Sequence, residues 1–125
     1  MRRKHGFTLI ELLIVMVIIG ILVAVLIPRW ANSRDRALQA AMKSDLRNLA
    51  TAEESYFSDS ASYTTSLSAL IGFRSSQGVT VAINQASTGG WSATASHPSA
   101  RQCYLFVGSA SPVGAAIAEG QVACR

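Results

Sequence analysis

The chain has 125 residues and a formal net charge of +4, with 11 Lys and Arg against 7 Asp and Glu. Arg2, Arg3 and Lys4 supply three of the positive charges, and from Phe7 onward the balance is 8 basic to 7 acidic residues. A near-neutral body excludes a broad nucleic-acid surface, which needs clustered basic residues, so no nucleic-acid partner is expected.

The first element is an apolar run of 21 residues, Phe7 to Ile27, closed by Pro28 and followed by Arg29. As a helix it would be about 31 Å long, against a hydrocarbon core of ~30 Å. The heavier positive flank at its N-terminal side predicts a cytoplasmic N-terminus and a C-terminal part across the membrane. A cleaved secretory signal fits poorly, because its apolar region is ~7–15 residues long and needs a small-x-small site after it. Leu26-Ile27-Pro28 offers no such site. A plain single-span anchor fits the length but leaves Glu11 unexplained, since a carboxylate in hydrocarbon costs about 3 kcal/mol on insertion scales. A position near the interface would make Glu11 merely tolerated.

The stretch Gly6-Phe7-Thr8-Leu9-Ile10-Glu11-Leu12-Leu13, between a short basic leader and the apolar run, resembles the N-terminus of a type IV prepilin. The match covers residues 1–28, and beyond them the likeness is one of architecture. The resemblance implies cutting after Gly6 by a prepilin peptidase on the cytoplasmic face and N-methylation of the new N-terminus at Phe7. Mature subunits then stack into a filament. Glycine suits a scissile position physically, because without Cβ it enters a narrow cleft in extended form. Gly20 and Pro28 fall where the family places helix-loosening residues. After cleavage Glu11 becomes the fifth residue, and a carboxylate buried among packed helices needs a cationic partner. The family's proposal pairs it with the α-amino group of Phe7 in a neighbouring subunit; pairing with its own Phe7 is the rival. Implied partners are further copies of the chain and related minor pilins, the peptidase/methylase, an inner-membrane assembly platform, and inner-membrane lipid before assembly. The implied location is the inner membrane first and a surface or periplasm-spanning filament afterwards.

From Ala31 to Phe57 the sequence holds no Gly or Pro, and Leu38, Met42, Leu46, Leu49, Ala50 and Phe57 recur mostly at steps of three and four. That is one apolar stripe on a helix. The simplest reading is a single helix from about Phe7 to about Phe57, kinked near Pro28. Its second half turns amphipathic and packs on the C-terminal domain; a self-associating coiled coil is the alternative. Ser58 to Leu70 is polar and loop-like, with Tyr56, Phe57 and Tyr63 expected to pin it to the helix.

Gly78–Gln85 alternates, placing Val79, Val81 and Ile83 on one face. Ser87–Gly90 signals a turn, and Trp91–His97 follows as the hairpin partner. Trp91 is expected to pack there rather than to serve as a ligand platform. Cys103–Gly108 reads as a third, more buried strand. Ala115–Cys124 reads as a fourth, interrupted around Glu119-Gly120. The predicted fold class is α+β: a long kinked N-terminal helix against an antiparallel sheet of about four strands. The expected divisions are a leader (1–6), a transmembrane or filament-core helix (7–28), its amphipathic half (29–57) and a globular sheet domain (58–125).

Cys103 and Cys124 are the two cysteines of the chain, and an even count in an oxidising compartment reads as a disulfide. Type IV pilins often carry such a C-terminal cysteine loop, exposed along the filament. No metal site and no cofactor are expected: His97 stands alone, His5 is in the leader, and no Cys-x-x-Cys occurs. No catalytic motif or carboxylate–His cluster points to an enzyme. Within the resemblance, the major pseudopilin of type II secretion binds calcium through acidic groups in its C-terminal loops. Residues 58–125 offer only Asp59 and Glu119, too few for a cation that needs several oxygen ligands. The favoured function is a type IV pilus-like subunit. The alternatives are a secretion pseudopilin and a bitopic membrane protein whose sheet domain captures a ligand.

Overall fold

The computed structural model describes residues 6–99 and 101–125, so the basic residues Arg2, Arg3 and Lys4 of the expected leader lie outside the described residues. The chain divides into two units, one ending at Arg34 and the other beginning at Asp35. Helix α1, Leu9–Ser60, is assigned without a break through Pro28. Proline lacks an N–H, so the Ala24 carbonyl forfeits its bond one turn later. In the first unit every large apolar side chain from Leu9 to Ile27 is 45–81% exposed. Nothing among the described residues of this unit covers them.

The second unit is α+β as expected. Strands β1 (Thr80–Ala86), β2 (Gly90–Ser96), β3 (Cys103–Gly108) and β4 (Ala123–Cys124) form one antiparallel sheet in the order β1-β2-β3-β4. The apolar stripe of α1 covers this sheet. Met42, Leu46 and Leu49 share a core with Trp91, Ala93 and Ala95 of β2, and all six are fully buried. The short side chains of Ala93 and Ala95 leave room for the larger ones of the helix, which is how a close-packed layer interface is filled. Val79 and Val81 are buried and Ile83 half-buried, the face that the alternation predicted. A register shift between Ile83 and Gln85 bulges β1, and Asn84 Nδ2 there donates to Thr94 Oγ1 at 2.8 Å.

The hairpin turn occupies Ser87 to Gly89, and Gly90 already belongs to β2. A Cβ on Gly90 would run into the Val107 carbonyl and the backbone nitrogens of Ser109 and Ala110. Backbone passes too closely there for any side chain.

The fourth strand is much shorter than the sequence predicts. Only Ala123 and Cys124 pair with β3, and residues 109–122 form a loop over a small cluster of Phe106, Ala110 and Ala116. Gly120 has φ +70°, its N–H donates to the Phe106 carbonyl at 2.9 Å, and Glu119 Oε1 accepts the Gly108 N–H at 2.7 Å. These bonds clip the loop to the end of β3, where a continuous strand would have to run straight. The helix in turn starts at Leu9 rather than Phe7 and ends at Ser60 rather than Phe57.

Cys103 and Cys124 are disulfide-bonded, with Cα atoms 4.0 Å apart. Gln102 and Arg125 exchange both backbone hydrogen bonds, at 3.0 and 2.8 Å. The cysteines are therefore the neighbouring non-hydrogen-bonded pair, the register that brings antiparallel backbones closest.

Past the helix the chain folds back along α1. Ala61 adopts φ 55° and its N–H donates to the Phe57 carbonyl at 2.8 Å, closing the last turn. Phe57 and Tyr63 stack with ring centroids 4.6 Å apart, and Tyr63 donates its hydroxyl to Glu54 Oε1 at 2.9 Å. Phe57 and Tyr63 thus act as the expected pins, and Tyr56 packs against the main core. Two buried acids of the helix do the same work unannounced. Asp45, 2% exposed, accepts the N–H and the hydroxyl of Ser76, both at 2.8 Å. Glu53, wholly buried, accepts the Thr64 N–H on Oε2 at 3.1 Å, while its Oε1 has no partner among the described residues.

Burial pushes the Glu53 carboxyl above its ordinary 4.5, and the charge of Glu54 adds to the rise, against the pull of the Thr64 N–H. Folded Glu53 thus keeps its proton to higher pH than the unfolded chain does. Its contribution to stability is fully present below about pH 4.5 and is lost as pH rises through the folded value. Glu53→Gln keeps an acceptor for the Thr64 N–H and cannot ionise, so it should remove that part of the pH slope and lose less stability than wild type between pH 4 and pH 8. Melting of wild-type and variant chain in detergent from pH 4 to 8 checks this; parallel curves would refute it.

Candidate functional site

The first turn of α1 holds the expected assembly residues. Leu12 N–H donates to the Thr8 carbonyl at 3.3 Å, which makes Thr8 the N-cap. Glu11 Oε2 accepts the Thr8 N–H at 2.9 Å and the Thr8 hydroxyl at 2.7 Å. The Glu11 N–H points back to Thr8 Oγ1 at 3.4 Å. This reciprocal arrangement is a capping box, Thr-x-x-Glu, satisfying donors that every helix start leaves open. A carboxylate at the N-terminal turn also sits at the positive end of the helix dipole.

The box was readable in the sequence as a threonine three residues before a glutamate, and the reading of Glu11 as a residue awaiting an intermolecular partner missed it. Both side-chain bonds fall on Oε2. Oε1 takes part in neither, so the local role and an outside partner are compatible. Phe7 is 79% exposed and still joined to Gly6, so its nitrogen here is an amide. Pairing of Glu11 with an α-ammonium group at Phe7, in the same or another subunit, requires cleavage first.

Gly6 and Gly20 have open space where a Cβ would stand, and Pro28 lies within α1. Gly6, Phe7 and Glu11 fall within a few residues of one another, while Gly20 and Pro28 lie further along the helix. Cys103 and Cys124 belong to the sheet unit. Among the described residues, α1 is the helix long and apolar enough to cross a membrane.

Residues 1–27 match the family model of the prokaryotic N-terminal methylation motif. Over 100 residues, 78% of this chain and 76% of the relative, the sequence is 43% identical to the type IV wide pilus major component of Thermus thermophilus. The chain belongs to the type IV pilin and pseudopilin family.

Other members of the family match over shorter stretches. The type IV major pilin protein of Myxococcus xanthus is 48% identical over 61 residues, 49% of this chain and 28% of that one. Core protein G of the type II secretion system of Pseudomonas aeruginosa is 39% identical over 62 residues, 50% of this chain and 44% of that one. The family consists of structural subunits, and the chain is not an enzyme.

Proposed function

We propose that the chain is the subunit of a type IV pilus-like filament, made as a membrane-anchored precursor and polymerised through α1. The observation that carries this reading is the exposed apolar surface of Leu9 to Ile27. A surface of that size needs lipid or neighbouring helices over it. In this reading residues 1–6 are a cytoplasmic leader. Residues 7–28 span the inner membrane and later form the filament core, residues 29–57 are the amphipathic half of the helix, and 58–125 face outward. A prepilin peptidase cuts after Gly6 and methylates Phe7. Glu11 then meets an α-ammonium group at Phe7, across a subunit interface, with Oε1 as the free acceptor. Gly20 and Pro28 give the helix the bend that packing in a filament asks for. An assembly platform in the inner membrane passes subunits to the filament, together with related minor pilins.

A secretion pseudopilus is the second reading, favoured by the likeness to core protein G over half the chain. The pilus reading is preferred because the Thermus pilus subunit matches over 78% of the chain, further than α1 alone extends.

Mass spectrometry of sheared surface filaments tests the proposal, with a chain that begins at methylated Phe7 as the expected result. Gly6→Leu should leave at least ten times more uncut precursor in the membrane fraction. Mature-length protein at wild-type level in that variant, or an intact Met1 in filaments, would sink the cleavage site.

A further inference from the structure

Ile27, Trp30, Ala31 and Arg34 follow one another at steps of three, one and three, so they share one face of α1. They frame a shallow cleft of about 280 Å³. Trp30 is 75% exposed, the largest apolar side chain left open beyond the apolar run. Arg34 is the charged group of the cleft, and Arg29 is exposed beside it in sequence. Ser33, between them, donates its hydroxyl to the Arg29 carbonyl at 3.1 Å. From Leu12 to Ser44 the sequence has four basic residues, Arg29, Arg34, Arg36 and Lys43, against one acid, Asp35.

An exposed indole is poorly placed in bulk water, and an indole and a guanidinium are both well placed in the headgroup layer of a bilayer, where each keeps an apolar body and a polar tip satisfied. The spacing along the axis agrees. Trp30 lies about 4.5 Å beyond Ile27, the end of the apolar run, and Arg34 about 10 Å beyond it. Helical side chains lean toward the N-terminus, which carries the Arg34 guanidinium back toward Trp30.

We infer that this cleft binds the phosphate of an acidic phospholipid in the outer leaflet of the inner membrane. Arg34 pairs with the phosphate, and Trp30 lies along the glycerol and the first methylenes. Arg29 adds charge near the depth of Trp30. The inference rests on the membrane-anchored reading above and adds to it a ligand and a depth: the site fixes where the helix stops in the bilayer.

The test uses the full chain in vesicles of phosphatidylcholine brominated near the glycerol end of the acyl chain, with unbrominated phosphatidylglycerol added in steps. Trp91 is fully buried in the sheet unit, so quenching reports Trp30, and Trp30→Phe should abolish it. Recovery of fluorescence should show a preference of about fivefold for phosphatidylglycerol, the scale expected for one basic side chain at an acidic surface. Arg34→Gln should bring the ratio close to one, and Arg34→Lys should keep most of it. A wild-type ratio of one, or Arg34→Gln equal to wild type, overturns the headgroup site alone. If the chain fails to float with vesicles at all, the membrane-anchored reading falls and takes this inference with it.

Discussion

Cells whose only subunit carries Glu11→Gln should cut it at Gly6, hold it stably in the membrane and make filaments at less than a tenth of wild-type number. The substitution is unusually clean here. Glutamine at the same position still accepts the Thr8 N–H, since a capping box works with either residue, so the start of α1 is preserved. Only the charge is lost. Removing one partner of a buried ion pair typically costs about 3–5 kcal/mol, because the other charge is left stranded. Every 1.4 kcal/mol is about tenfold in an association constant, and the loss recurs at each subunit added. Thr8→Val provides the contrast: it breaks the hydroxyl's bonds to Glu11 and leaves the carboxylate, so filaments should fall far less. Immunoblots of the membrane fraction and counts of filaments by electron microscopy give the readout. Wild-type filament number from Glu11→Gln alone would mean that the glutamate serves its own helix and nothing else.

The double variant Cys103→Ser, Cys124→Ser should melt roughly 12–24 °C below wild type. The bridge closes 20 residues between the two cysteines, worth about 3 kcal/mol by the chain-entropy estimate, and each kcal/mol moves the midpoint of a domain this size by roughly 4–8 °C. The structure gives a reason to expect the full amount. Strand β4 has two residues, too few to hold the C-terminus by pairing alone. Without the bridge, the loop 109–122 keeps the clips at Gly108–Glu119 and Phe106–Gly120 and loses its far anchor. Melting with and without reductant, alongside thiol labelling of the exported protein, measures the effect. A midpoint unmoved by reduction would show that the sheet closes unaided.

The parts of this molecule legible in its sequence are those written as repetition or as a short motif. The leader motif, the helical stripe from Leu38 to Phe57, the alternation of Val79, Val81 and Ile83, and the cysteine pair all announce themselves. What stayed hidden was contact across the chain. Asp45 and Glu53 lie on the buried stripe, three residues after Met42 and four after Leu49, but charged residues in a helix are ordinarily assigned to its wet face. Their partners are backbone N–H groups 31 and 11 residues away, which no side-chain pattern records. The fourth strand was over-read for the opposite reason. Apolar residues around Ala115 to Val122 look strand-like locally, yet Gly120 and Glu119 bend them onto β3. At the helix start Thr8 and Glu11 spell a capping box in the sequence itself, and the same glutamate also suits a more distant partner.

The ties at Asp45 and Glu53 carry a consequence for how such a protein can vary. Both grip a backbone amide, a group that every residue except proline possesses, and only the second bond at Ser76 uses a side chain. The segment from Ala61 to Gly78 can therefore change most of its surface chemistry without letting go of the helix. In the proposed filament, changes of surface chemistry would fall on the exposed face of this segment, while the two acids that hold it lie buried beneath it.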